Sequence, residues 1–154
     1  TGASATSTGP TSTWLIGGDG GLGRSVEAIS SSNGKLCSLP LNSLPLGKAS
    51  MMGGYLGGQV LACGGSSPTR DQLSVYNDCY ATSANGRGRW EQVGSMPHNT
   101  SNAGHAVANG KLYVAGGYTQ PLCGYRPEVQ VYSPRSGWSA PSSSDPPKRV
   151  GAYS

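Results

Sequence analysis

The stretch Lys111-Leu112-Tyr113-Val114-Ala115-Gly116-Gly117 decides how the rest of the chain is read, because two weaker copies lie upstream. One is Trp14-Leu15-Ile16-Gly17-Gly18 and the other is Gln59-Val60-Leu61-Ala62-Cys63-Gly64-Gly65. Each is a short apolar run that stops at a glycine pair. Such runs are too short for helices and rich in strand formers. The glycines open backbone conformations closed to other residues. The first glycines of the pairs, Gly17, Gly64 and Gly116, recur about every 50 residues, which is the signature of a repeat fold.

Composition agrees. The 154 residues include 25 Gly and 11 Pro but only 12% charged residues, and Phe is absent while Tyr (8) and Trp (3) carry the aromatic load. No amphipathic helix pattern with caps appears, and no apolar run approaches the roughly 18 residues of a membrane span. The net charge of +4 is dispersed, without basic clusters alternating with aromatics, so nucleic acid is not expected as a partner.

The repeats are read as follows. Residues 1–13 are rich in Ser and Thr, cannot bury enough surface to offset their ordering entropy, and are expected to form a flexible leader open to O-glycosylation. Repeat one, residues 14–47, has strand-like runs at 14–16, 25–29 and 35–39, with a turn at Asn33-Gly34. Repeat two, residues 48–100, is expected to carry strands at 49–52, 60–63, within 73–82 and at 90–93, with turns at Gly57-Gly58 and Asn85-Gly86. In repeat three, residues 101–147, the runs 104–108 and 112–115 flank Asn109-Gly110, which predicts a type I′ hairpin. Strands at 128–132 and from Trp138 follow, with Val129 and Val131 sharing a face.

Four strands per repeat, a Gly-Gly closing the second, a Tyr in the third and a Trp some six residues later resemble kelch repeats, which build β-propellers. The resemblance implies an all-β fold of about three four-stranded antiparallel blades. It assigns structural roles to Gly17, Gly18, Gly64, Gly65, Trp90, Gly116, Gly117, Tyr132 and Trp138. Repeat one departs from the pattern, with Cys37 at the Trp position and Ile29 or Ala28 at the Tyr position. That departure resembles a secreted, cysteine-containing branch of the family.

The phase of the repeats is offset. Trp14 already stands in a second strand, so the first blade is expected to lack its first strand. Residues 148–154 align with the first strand of repeat three and form a spare one. A ring of three blades closes poorly, since propellers typically have 4 to 8. Either further blades exist elsewhere, or the spare strand completes a blade of another molecule, giving a homo-oligomeric ring or a filament.

Cys37, Cys63, Cys79 and Cys123 form an even set without CxxC spacing, so disulfides are expected rather than a metal site. Cys63 and Cys79 fall on neighbouring strands and are paired on that ground. That leaves Cys37 and Cys123, with Cys37–Cys63 as an alternative. Asn99-Thr100-Ser101 is an N-glycosylation sequon, and with the cysteines it points outside the cell. No signal peptide is visible at Thr1, so the chain reads as a mature or processed form.

The motifs of catalysis are incomplete in this sequence. The glycine-rich 17–23 lacks the helix and the Gly-Lys-Ser/Thr of a phosphate loop. His105, on a first strand, is expected as an interior structural histidine, and His98 as a solvated loop residue. Residues 83–90 match only the ends of a sialidase-type motif, with Arg87 where that motif has Gly. The two histidines do not form the dispersed ligand set of a copper-radical carbohydrate oxidase, which stays a remote alternative. No enzyme activity and no cofactor are expected. The expected function is an extracellular self-assembling protein of a matrix, coat or filament. The alternative is binding of a separate protein or glycan through the loops 66–72 and 118–127, the latter holding Tyr118, Tyr125 and Arg126.

Overall fold

A computed structural model describes residues 3–7, 12–37, 41–67, 74–120, 124–125 and 127–140. Among the described residues the fold is all-β apart from one 3₁₀ turn at Gly20–Leu22, and three successive blades follow one another along the chain. Blade 1 contains β1 (Ser4–Ser7), β2 (Ser12–Ile16) and β3 (Val26–Ser30). Blade 2 is the four-stranded sheet of β4 (Met52–Leu56), β5 (Gln59–Cys63), β6 (Asp78–Ser83) and β7 (Glu91–Ser95). Blade 3 has β8 (Gly104–Ala108), β9 (Lys111–Ala115), β12 (Val129–Ser133) and β13 (Gly137–Ser139) in spatial order β13-β12-β9-β8. A two-stranded hairpin, β10 (Tyr118–Thr119) and β11 (Gly124–Tyr125), projects between β9 and β12.

Turn chemistry explains the two tight hairpins. Asn109 and Gly110 have φ of 49° and 69°, and Gly57 and Gly58 have 60° and 82°. Two consecutive positive φ values make the type I′ turn whose twist matches the strands. The turn at Gly57-Gly58 also sets where the first strand of blade 2 runs. β4 spans Met52–Leu56 rather than 49–52, because the two-residue loop pairs Leu56 directly with Gln59. Asn33-Gly34 makes a longer loop than a two-residue hairpin, closed by the Ser30 amide on the Lys35 carbonyl and by the Lys35 amide on Asn33 Oδ1. Beyond it the fourth strand of blade 1 reduces to a bridge of Leu36 to Ile29; residues 38–40 lie outside the described residues.

Within the expected leader, Ser4–Ser7 is a strand, so blade 1 has a first strand where none was expected. Ser4–Ser7 pairs antiparallel with β2, from Ser4 opposite Ile16 to Ser7 opposite Thr13. Low apolar content gives no strand signal there, whereas the backbone groups find their partners in β2. β1 lies beside β4, which lies beside β8, so the first strands of the three blades run next to one another. Residues 148–154, the expected spare strand, lie outside the described residues.

The core consists of two layers, one on each side of blade 2. β5 is buried on both faces and splits its side chains between them. Val60 and Ala62 join Trp14, Ile16, Ala28, Leu44, Met51 and Trp90 between blades 1 and 2. Leu61 and Cys63 join Met52, Leu56, Cys79, Ala81, Met96, Leu112, Val114 and Tyr132 between blades 2 and 3. Fully burying a side chain of the Leu or Ile class stabilises by about 1.5–3 kcal/mol, so these layers hold the blades together. Tyr132 and Trp138 pair across strands with ring centroids 5.4 Å apart. In blade 1 the equivalent pair is Ala28 with Cys37, whose amide donates to the Ala28 carbonyl at 2.7 Å.

The glycine pairs carry a bond pattern that repeats. The first glycine of each pair sends its amide to the start of the next strand: Gly17 to Ser25, Gly64 to Asp78, Gly116 to Glu128. The second sends its amide to the segment entering the following blade: Gly18 to Lys48 at 3.1 Å and Gly65 to Thr100 at 2.9 Å. All six glycines have positive φ, from 60° to 148°. A Cβ on Gly65 would stand 2.6 Å from the Ala49 carbonyl oxygen, so the close crossing of backbones requires glycine there.

Candidate interaction surface

The segment linking blades 2 and 3 builds a surface feature on buried polar contacts. Thr100 is fully buried; its amide donates to the Tyr76 carbonyl, its carbonyl accepts from Gly65, and its hydroxyl donates to the Gly116 carbonyl at 3.1 Å. Ser101 and Tyr118 exchange two backbone bonds of 2.9 and 2.8 Å. The His98 amide donates to Oε1 of Gln130, itself buried, at 2.8 Å. One end of blade 3 is thus locked to the linker by satisfied polar groups, each of which would be costly if left unpaired.

On this base stands the β10–β11 hairpin. Tyr118 opposes Tyr125 and Thr119 opposes Gly124. The two tyrosine rings meet edge to face at 6.3 Å and 74°. Tyr118 is half-buried, whereas Tyr125 is 88% exposed, the most exposed large hydrophobic side chain among the described residues. Beneath them Thr119 is buried and its hydroxyl donates to Asn99 Oδ1 at 2.6 Å. Asn99 Nδ2 donates to the Gln120 carbonyl at 2.8 Å and to the Val75 carbonyl at 3.3 Å. Asn99 therefore touches the margins of both loops singled out from sequence, 66–72 of blade 2 and 118–127 of blade 3. Sequence reasoning saw Asn99 as a glycan acceptor only. Nothing in the triplet Asn99-Thr100-Ser101 reveals that its amide is committed inward; its place at the junction of two repeats is the one signal that points there. Arg126, and most of the 66–72 loop, lie outside the described residues.

A second polar cluster lies between blades 1 and 2. Lys48 is 1% exposed, its ammonium pairs with the Asp78 carboxylate, and the rings of Tyr76 and Tyr80 flank it at 5.0 and 5.1 Å. Burial holds the Lys48 ammonium below its ordinary pKa against the opposing pull of Asp78. Burial, with Asp78 close by, pushes the Tyr80 phenol up. With every member partnered, the cluster ties two blades and offers no open coordination site.

The remaining sequence expectations fall as follows. Cys63 and Cys79 oppose each other on β5 and β6 and form a disulfide, which rules out Cys37–Cys63. Cys37 is a half-buried free thiol packed against the layer between blades 1 and 2, and Cys123 lies outside the described residues. His105 is exposed rather than interior, with Nδ1 3.4 Å from the Ala103 carbonyl oxygen, on a strand exposed along its length. Trp90 donates from Nε1 to the Asn42 carbonyl at 2.9 Å, while Trp138 Nε1 is buried without a partner among the described residues. The glycine-rich 17–23 forms the 3₁₀ turn and leads into β3. Among the described residues no group of His, Cys, Asp or Glu could hold a metal ion, and no helix is long and apolar enough to cross a membrane.

Comparison with known proteins agrees with this geometry. Residues 99–137 match the Kelch motif family. Kelch-like protein 36 of Bos taurus is 28% identical over 89 residues, covering 54% of this chain and 14% of its own length. Among solved structures, YjhT superposes with a TM-score of 0.72 at 18% identity, covering 90% of this chain and 44% of that one. The chain thus spans less than half the length of either protein.

Proposed function

We propose, from a chain whose motif, relative and fold all support the kelch-repeat β-propeller family, that it is a protein-interaction module acting through the Tyr118–Tyr125 hairpin. The observation that carries this reading is Tyr125, 88% exposed at the open end of a two-stranded hairpin whose other strand is hydrogen-bonded to Asn99 through Thr119 and Gln120. An exposed aromatic on a rigid base supplies contact area at little entropic cost, and tyrosine is enriched among interface hot spots. The compartment we propose is extracellular, in keeping with the Cys63–Cys79 disulfide.

Selection of binding peptides from a displayed library against the 154-residue chain tests the reading. Peptides that bind the wild type and lose binding to Tyr125→Ala support it. Peptides that bind both equally place the contact elsewhere and contradict it.

A second reading, self-association, is favoured by one observation. Val131, Val129 and Ala115 lie on the face of blade 3 turned away from blade 2, opposite to Leu112, Val114 and Tyr132. In blade 2 the equivalent face is the one covered by blade 3, so another blade is the partner that fits it, and a second copy of this chain can supply one. Exchange of a first strand between chains is not carried forward, because β1 already fills that position in blade 1.

A further inference from the structure

We infer that Asn99 is the positioning residue of the Tyr118–Tyr125 hairpin, and that its docking there and N-glycosylation of Asn99 are mutually exclusive. The inference rests on the hairpin being the interaction surface, and deepens that reading by naming what holds it and what would release it.

The chemistry is a count of hydrogens on one atom. An asparagine amide carries two N–H donors and one carbonyl acceptor with two lone pairs. Asn99 spends both donors, on the Val75 and Gln120 carbonyls, and its oxygen accepts from Thr119. Glycosylation replaces one Nδ2 hydrogen with the glycosidic carbon of a sugar-pyrophosphate donor, whose pyrophosphate leaves while the displaced hydrogen departs as a proton. One donor then remains where the docked hairpin uses two, and a sugar stands where a backbone carbonyl now sits. Either Gln120 or Val75 loses its bond. Loss of the Gln120 bond frees the strand end that follows Thr119, so the hairpin loosens. Loss of the Val75 bond removes the link that Asn99 makes between the hairpin and blade 2.

Neighbouring residues make the two states separable. Ser101 completes the sequon, but its bonds to Tyr118 run through the backbone, so Ser101→Ala removes the acceptor signal and keeps the docking bonds. Asn99→Asp does the reverse to the amide: it keeps an acceptor for Thr119 and loses both donors.

The test is secretion of the 154-residue chain from a glycosylating eukaryotic host. Mass before and after peptide:N-glycosidase treatment gives occupancy, and hydrogen exchange compares residues 118–125 with residues 129–133. Ser101→Ala is expected to match unglycosylated wild type in both segments. Asn99→Asp is expected to lose protection on the order of tenfold at 118–125 with 129–133 unchanged. Any glycosylated wild-type fraction is expected to show the same loss. Glycosylated protein as protected at 118–125 as Ser101→Ala overturns the inference, as does full protection in Asn99→Asp. If Asn99→Asp does not fold, Thr119→Val decides: lower protection confined to 118–125 supports the inference, and unchanged protection overturns it. No ligand enters this measurement, so its failure is distinct from a failure of the binding experiment with Tyr125→Ala.

Discussion

Two residues show how individual side chains, or their absence, set the geometry of the blades. Gly65 and Gly57 both have positive φ, but only Gly65 is crowded, with the Ala49 carbonyl oxygen and Met51 Cγ 2.6 and 2.7 Å from where a Cβ would lie. Nothing lies within 4 Å of the same point on Gly57. Gly57→Ala is therefore expected to cost about 1–2 kcal/mol of backbone strain alone. Gly65→Ala should cost several kcal/mol, since backbone must move as well. Urea unfolding of the two variants measures the difference, and equal losses would refute the packing role of the second glycine. Lys48 gives a second case. Removing one member of a buried ion pair costs about 3–5 kcal/mol, so Lys48→Ala should be destabilised by that order. The sign of its pH dependence follows from the lowered pKa. Between the folded value and the ordinary 10.5, the unfolded chain binds more protons at Lys48 than the folded one, so this contribution to stability rises with pH. The raised Tyr80 phenol acts oppositely above pH 10, where the unfolded chain sheds a proton that the folded chain keeps. Across the window just below pH 10, wild type should gain stability relative to Lys48→Ala, as read by urea midpoints at successive pH values.

Elements differ in how far the sequence could announce them. β9 and β5 were readable because apolar runs ended by Gly-Gly leave few alternatives, and Asn109-Gly110 fixed the hairpin between β8 and β9 through its two positive φ values. β1 was not readable. Its residues Ser4-Ala5-Thr6-Ser7 carry no apolar pattern, and their pairing with β2 is a long-range backbone contact. The same physics hid the role of Asn99, whose partners are carbonyls of residues 24 and 21 positions away. Long-range polar bonds leave no local periodicity to read. His105 failed for a different reason: a position on a first strand does not by itself say which face is covered. The β1 assignment has a direct check. Amide hydrogen exchange should find residues 4–7 protected together with residues 12–16, whereas exchange at the rate of a free peptide would return them to a flexible leader.

At the scale of the whole molecule, the two packed layers around blade 2 are one interface type used twice. The outer face of blade 3, with Val129 and Val131, presents a third surface of that type. Sedimentation equilibrium of the 154-residue chain is expected to show a two-chain mass that reverts to one chain in Val131→Asp; a single-chain mass for the wild type would remove the self-association reading. The blades in this account are the scaffold, and the Tyr118–Tyr125 hairpin with its inward-facing Asn99 is what they present. The most direct test is the affinity of a library-selected partner for wild type and for Tyr125→Ala, with both proteins shown equally folded by circular dichroism. A hot-spot tyrosine is worth at least about 2 kcal/mol, which predicts an affinity roughly 30-fold weaker in the variant. An unchanged affinity would contradict the account.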